Sequence, residues 1–302
     1  MSSFTAYAPA KVNLSLHVGA VKPNGRHDLI SLVTFADMDT ADVLTAEPAG
    51  SFSLAVNGPF AASAGLAKDN LVLKAARALN KALDGKVPTL AFRLTKNLPA
   101  AAGLGGGSAD AAAALRVMVK AIGDPSAMYA AEQVAPTLGG DVLACLYNRT
   151  GLMQGEGENF VPLEGLPALP AVLVNPGIAC PTGPVFQAYD KAPSIELDHP
   201  PIRLKRPSTK SLIRLLKNQT RNDLGTPAEQ LVPEIAMVLQ DLGKLPGSRL
   251  ARMSGSGASC FALFDTMDAA QKAADKYCRQ NPKAWVAVSE LGANADLCSE
   301  SA

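Results

Sequence analysis

Residues 98–115 read LPAAAGLGGGSADAAAAL: four glycines and a proline, then an alanine-rich run of strong helix formers. The backbone N–H groups that open a helix have no intrahelical partner, and the helix dipole is positive there. Glycines that leave those donors uncovered therefore make a cradle for a phosphate chain. The plain alternative is a loose surface linker, since consecutive glycines cost backbone entropy. Three features favour the cradle. The loop follows an alternating strand pattern, TLAFRLTKN; Leu104 is an apolar anchor within it; and the helix that opens at Ser108 begins with almost no bulky side chains. Asp110, expected in the first turn, would repel a bound phosphate unless directed away, and its simplest role there is to complement the helix dipole.

The loop matches none of the commonest anion motifs. A Walker loop needs G-x-x-x-x-G-K-[ST], and this segment has no such lysine. The dinucleotide fingerprint G-x-G-x-x-G is met by Gly103 and Gly105 but fails at Ser108, which argues against a nicotinamide-dependent oxidoreductase. A hydrolase elbow G-x-S-x-G fails at Asp110.

LPAAAGLGGGSADAA resembles the P-x-x-x-G-L-G-G-G-S-[SA] ATP loop of the galactokinase, homoserine kinase, mevalonate kinase and phosphomevalonate kinase superfamily. SGSGASCFALF is similar to the superfamily's C-terminal glycine motif and APAKVNLSLHV to its N-terminal one, in the expected order over nearly the whole chain. The combination of APAKVNLSLHV, PNGRHDL, LGGDV, GEGE and NPGIACPTGPVF most resembles the family that phosphorylates the 2-hydroxyl of 4-diphosphocytidyl-2-C-methyl-D-erythritol with ATP, in the non-mevalonate route to isoprenoid precursors. The resemblance implies a two-domain α+β fold with its active site between domains and a ferredoxin-like C-terminal domain. It implies Lys11 and Asp141 as the catalytic pair. For ATP it implies the loop Pro99, Ala100, Ala101, Ala102, Gly103, Leu104, Gly105, Gly106, Gly107, Ser108 and Ala109, with Asn70 and Lys96 near the nucleotide base. For the substrate it implies Asn13, His27, Asp141 and Phe186. Two positions depart from the family pattern: Arg26 stands where a tyrosine is usual, and Leu143 where GADVP is usual.

Transfer to an alcohol needs in-line geometry, neutralisation of charge on the moving phosphoryl group, and a destination for the hydroxyl proton. Asp141 is expected to orient or accept that proton, and Lys11 to place positive charge beside the developing alkoxide. Without the resemblance, each residue has a blander reading: Asp141 a turn residue, Lys11 a solvated charge, His27 an exposed turn histidine, and Ser254–Gly257 a hairpin turn. Mg²⁺ is expected to accompany ATP, with Ser108 a candidate oxygen and Glu156 or Glu158 further possibilities. A mevalonate- or homoserine-type kinase and a non-catalytic ATP-binding sensor are the rival functions.

Elements must hold these residues. VNLSLHV reads as a half-buried strand with Val12, Leu14, Leu16 and Val18 inward; LISLVTFA and SFSLAVN read as further strands. A helix capped by Asp69 is expected to follow, then helices over 108–122 and 126–138. PAVLVNPG reads as a buried strand, TGPVFQAYD as a short helix, and 194–207 as a surface connection. Helices are expected over 208–217 and 227–242, then strands SRLARM and CFALF, a helix from Met267 and a strand AWVAVSEL. Strands and helices mix without a regular beat, which fits α+β. Domains are expected over 1–165 and 166–302.

The 302 residues, 48% of them hydrophobic and 18% charged, can bury a substantial core. A net charge of +1 supplies no general field for nucleic acid. Five widely spaced cysteines without a C-x-x-C pair are expected to be buried thiols in a reducing cytosol. No apolar run approaches the roughly 18 residues of a membrane span, and the N-terminus lacks the pattern of a signal peptide. A small-molecule substrate in the cytoplasm is the expectation.

Overall fold

The computed structural model describes residues 3–66, 69–191, 197–198, 206–293 and 295–301. Its strands are β1 (Ser3–Pro9), β2 (Lys11–Asn13), β3 (His17–Val21), β4 (His27–Phe35), β5 (Ala41–Pro48), β6 (Ser53–Asn57), β7 (Leu90–Thr95), β8 (Gly151–Gly155), β9 (Asn159–Pro162), β10 (Leu169–Asn175), β11 (Leu250–Met253), β12 (Cys260–Leu263), β13 (Trp285–Leu291) and β14 (Cys298–Ser301). Its helices are α1 (Leu71–Ala82), α2 (Gly106–Ile122), α3 (Ala127–Leu138), α4 (Val142–Tyr147), α5 (Thr182–Tyr189), α6 (Thr209–Gln219), α7 (Gly225–Leu231), α8 (Glu234–Lys244) and α9 (Met267–Gln280).

Three sheets carry the site. The first has the order β14-β1-β5-β7-β6, so the last described strand returns to the first sheet. The second has the order β2-β4-β8-β9, with β3 also on β4. The third has the order β11-β12-β10-β13 and is antiparallel throughout. In chain order this last unit runs strand, helices, two strands, helix, strand, with its first and third strands adjacent at the centre. That is the split βαβ pattern of a ferredoxin-like domain, and the α+β expectation holds.

Helix α2 lies on the first sheet between α1, α3 and α4. Its alanines Ala109 and Ala111 to Ala114 are all buried. A helix enclosed on this many sides must be apolar nearly all round, and small side chains let its neighbours approach closely. The alanine run is the consequence.

Several local expectations change. The segment 12–18 is not half-buried: Asn13, Ser15 and His17 are as enclosed as Val12, Leu14 and Leu16, and the strand is interrupted between β2 and β3. Its polar phase faces hydrogen-bond partners inside the protein rather than water. Asn70, not Asp69, caps α1, accepting from the Val72 N–H. The 227–242 helix is two helices, α7 and α8, because Pro233 has no N–H to carry the first one onward. Helix α2 starts at Gly106 rather than Ser108, so Asp110 is its fifth residue and lies beyond the first turn. Cys145, Cys180 and Cys260 are buried, but Cys278 is exposed and Cys298 only half-buried. Most of the expected connection over 194–207 lies outside the described residues.

A buried charge cluster fixes both ends of the glycine loop. The Lys96 ammonium bonds Asp42 and, at 2.7 Å, Oδ2 of Asp110. Oδ1 of Asp42 accepts from the Asn97 and Leu98 N–H groups at 2.6 and 2.9 Å, where the chain enters the loop. Asp110 sits on α2, where the chain leaves it. Burial pushes the Asp110 carboxyl up to about 7 against the opposing pull of Lys96, and its Oδ1 has no partner.

A second strut joins the sheets. The half-buried Arg252 guanidinium on β11 donates to the carbonyls of Leu14, Leu216 and Thr220 and to the Thr220 hydroxyl, at 2.6 to 2.9 Å. Arg252→Leu leaves those acceptors unpaired and is expected to cost about 2 to 4 kcal/mol, read from the urea unfolding midpoint. For Asp110, the folded state binds its proton more tightly than the unfolded chain, so this group makes stability fall as pH rises from about 4 to about 7. Asp110→Asn removes that component: thermal melts at about pH 5 and about pH 8 should show the variant gaining on the wild type at the higher pH.

Candidate active site

The two glycine loops touch. Ser254 Oγ donates to the Gly103 carbonyl at 2.8 Å and accepts from the Asn13 N–H at 3.1 Å, while the Ser259 N–H donates to the Ala102 carbonyl. A Cβ on Gly103 would lie 2.2 Å from the Ser254 carbonyl oxygen, and its φ of +73° is in the left-handed region. No other residue fits there. Ala101, at φ +48°, holds a conformation that costs a side-chain-bearing residue about 1 kcal/mol or more.

Helix α2 has Gly105 at its N-cap, which offers no side-chain acceptor. The backbone bond from the Ala109 N–H to the Gly105 carbonyl closes the first turn. The N–H groups of Gly106, Gly107 and Ser108 therefore precede the helical ladder and point out of its end, with the dipole behind them. This is the donor set a phosphate chain requires.

Next to it stands the pair that could act on a hydroxyl. Lys11 Nζ is 2.9 Å from Asp141 Oδ2 and donates to Asn13 Oδ1 at 2.8 Å. Asn13 Nδ2 donates to Ser31 Oγ, which donates to the Ser15 carbonyl. Lys11 is itself held under the loop by its backbone bond to the Leu104 carbonyl. Asp141 precedes α4 without capping it, which leaves its carboxylate for other partners. Its side chain is 28% exposed and that of Lys11 4%, so the carboxylate faces the opening and the ammonium supports it from below.

A cleft of about 520 Å³ joins these parts. Of the expected residues it is lined by Lys11, Asn13, Asn70, Lys96, Pro99 to Gly103, Gly105 to Ser108, Asp141 and Phe186. Leu104 and Ala109 are in the core beneath the loop. The ammonium of Lys96 is engaged by Asp42 and Asp110. His27 is buried, not an exposed turn residue: it packs on Phe186 with ring centroids 5.0 Å apart, and edge-on against Tyr189. Arg26 is turned outward to Glu156, whose carboxyl is held down to about 2 by hydrogen bonds from Asn24 and Lys22. Neither Glu156 nor Glu158 lines the cleft.

Sequence reasoning did not find Asp42, Thr182, Asp190 or Arg252. Asp42 had a signal: it shares the inward phase of β5 with Leu44 and Ala46, and a carboxylate in that phase must have a partner. Among the described residues no group of three or more His, Cys, Asp or Glu side chains could hold a metal ion. No helix among them is long and apolar enough to cross a membrane.

Comparison with known proteins identifies the family. The GHMP kinases N terminal domain model matches residues 70–149, and the GHMP kinases C terminal model residues 204–283. The chain is 52% identical over 298 residues to a 4-diphosphocytidyl-2-C-methyl-D-erythritol kinase of Hyphomonas neptunium, covering 96% of this chain and 97% of that one. It is 46% identical to the kinase of the same name from Cereibacter sphaeroides, covering 95% and 98%. A crystal structure of a 4-(cytidine 5'-diphospho)-2C-methyl-D-erythritol kinase superposes with a TM-score of 0.75 at 34% identity, covering 96% of this chain and all of that one. A mevalonate kinase from L. major shares the fold at a TM-score of 0.61 and 17% identity, over 96% and 97% of the two chains. The chain belongs to the GHMP kinases, within the family of 4-diphosphocytidyl-2-C-methyl-D-erythritol kinases.

Proposed function

We propose that this kinase transfers the terminal phosphoryl group of ATP to the 2-hydroxyl of 4-diphosphocytidyl-2-C-methyl-D-erythritol in the cytoplasm. The observation that carries the mechanism is the Lys11–Asp141 pair at 2.9 Å, in one cleft with the uncapped start of α2. The names of the relatives support the substrate. No observation favours a mevalonate or homoserine acceptor, or a non-catalytic sensor.

In this reading the Gly106, Gly107 and Ser108 amides hold the phosphate chain, with the rest of Pro99 to Ala109 shaping the loop. Asn70 borders the nucleotide end. Asp141 accepts a hydrogen bond from the substrate hydroxyl and orients its oxygen for in-line attack; Lys11 stabilises the negative charge that develops there. Asn13 positions Lys11, and His27 with Phe186 forms the wall for the cytidine end.

Mg²⁺ would neutralise phosphate charge. The described residues supply no acidic cage, which suits an ion that keeps water and binds chiefly through nucleotide phosphates, with the Ser108 hydroxyl, one of the side-chain oxygens lining the cleft, as a protein ligand. We divide the chain near residue 165 into a nucleotide-loop domain, 1–165, and a second domain, 166–302, whose last strand crosses back.

ADP release on mixing the protein with ATP, Mg²⁺ and the cytidine-linked alcohol tests the assignment, with mevalonate and homoserine as comparison acceptors. Turnover is expected on the first alone. Asp141→Asn should lower kcat by about 10² to 10⁴ while ATP binding by calorimetry stays near wild type. Full activity in that variant removes Asp141 from the mechanism.

A further inference from the structure

Glu156 lines no part of the cleft, yet three donors from one short turn converge on it. Between β3 and β4, Lys22 Nζ and Asn24 Nδ2 donate to its Oε1 at 3.0 and 2.9 Å, and Arg26 Nη1 donates to its Oε2 at 3.0 Å. The turn is closed by bonds of its own. The Lys22 N–H donates to the Arg26 carbonyl at 2.7 Å and the Arg26 N–H to Asn24 Oδ1 at 3.0 Å, so the three side chains are presented as a set. A single exposed ion pair contributes little, whereas several donors ordered beforehand on one carboxylate can fix its place. Its charge is already matched by Lys22 and Arg26, which makes it a poor ligand for Mg²⁺.

The carboxylate belongs to the turn Gly155-Glu156-Gly157 between β8 and β9, and the backbone of that turn meets Gly140. A Cβ on Gly140 would lie 3.1 Å from the Glu156 carbonyl oxygen and 3.4 Å from Gly157 Cα; one on Gly157, at φ +110°, would lie 3.2 Å from Gly140 Cα. With no side chain between them, a displacement of one segment is passed to the other. Gly140 is followed directly by Asp141. Among the described residues the Asp141 carboxylate is bonded by Lys11 alone, so its place depends on the backbone that carries it. That backbone is held on one side by α4, where the Cys145 N–H donates to the Asp141 carbonyl at 3.0 Å, and on the other by the turn of Glu156.

We propose that Glu156 is a positioning residue for Asp141: the turn of Lys22, Asn24 and Arg26 holds its carboxylate, its backbone holds Gly140, and Gly140 sets where the Asp141 carboxylate meets the acceptor hydroxyl. Arg26, which departs from the family pattern, then has a place in this chain as the third donor of the clamp. The inference rests on the proposed role of Asp141 and adds the device that aims it. In-line attack tolerates little error. Misplacement by about 1 Å can cost about a hundredfold in rate, and loosening the clamp allows a part of that.

The test is steady-state kinetics of the full chain with ATP, Mg²⁺ and the cytidine-linked alcohol, using Glu156→Ala, Asp141→Asn and the double variant, with thermal melts to check folding. Glu156→Ala should lower kcat about tenfold while KM for ATP stays within about twofold. In the Asp141→Asn background the same change should cost no more than about twofold, because the carboxylate it aims is gone. A merely structural role would multiply the two losses, and that result overturns the proposal. So does a wild-type kcat in Glu156→Ala. Should that variant melt early, Arg26→Ala and Arg26→Lys decide: kcat should fall about threefold in the first and recover in the second, and a wild-type kcat in Arg26→Ala overturns the proposal. Absence of turnover by the wild type on the cytidine compound, or full activity in Asp141→Asn, would instead bring down the functional reading, and this inference with it.

Discussion

The meeting of Gly103 with Ser254 is the constraint on which the site depends. Backbone approaches backbone there at a distance that excludes any side chain, and one hydroxyl, Ser254 Oγ, bonds at once to the nucleotide loop and to the strand that carries Asn13. The contact has apolar support beneath it. Ala102, Leu104 and Leu98 share a buried cluster with Val12 and Leu14 on one side and with Leu173, Phe261 and Leu263 on the other. The loop is thus held by a core shared with the second and third sheets, and moving it would mean opening that core. This is why a glycine-rich segment, flexible in isolation, can serve as a fixed cradle.

The charge arrangement follows from the same economy of side chains. A Walker loop brings a lysine to the phosphates, whereas here the lysine nearest the loop, Lys96, is buried between two carboxylates. Its charge is spent on joining the loop's entrance to its exit. What faces the cleft from the start of α2 is backbone N–H, dipole and the Ser108 hydroxyl, and a positive charge paired with Asp141 is delivered by Lys11. In the proposed function a phosphate chain lies between them, met by donors from one direction and by an ammonium from the other, with its reacting end near Lys11 and Asp141.

Much of this was legible in the sequence where one physical signal dominated. The loop was legible because strand, glycines and alanine-rich helix occur in succession, and β10 because a short apolar run between turn residues is what a strand covered on both faces looks like. The losses have specific causes. Alternation in 12–18 suggested a wet face, but Asn13 and Ser15 exchange water for internal partners and His17 bonds Asp198, which pattern alone does not reveal. Helical spacing ran through Pro233, although the missing N–H should have outweighed it. The strand β5 was hidden by Asp42, whose charge breaks the apolar phase; its partner Lys96 is 54 residues away. Lys11 and Asp141 came from family resemblance, because a single lysine and a single aspartate have no pattern until the fold brings them to 2.9 Å.

The two ends of the cleft are built from different elements, and this bears on how a shared fold takes different acceptors. The cradle belongs to β7 and α2, while the far end is lined by Phe186 of α5, against which His27 of β4 packs. Strand β2 pairs with β4 and holds Lys11 beside Asp141, while the Asn13 N–H bonds Ser254. Changing residues on α5 alters what is held without disturbing the N–H groups of α2 or the Lys11–Asp141 pair, because no hydrogen bond of that pair runs through α5. Phosphoryl transfer needs the cradle and the charged pair in one fixed relation, and the loop contact supplies it. Recognition of the acceptor needs only that its hydroxyl reach Asp141, which leaves the wall free to differ.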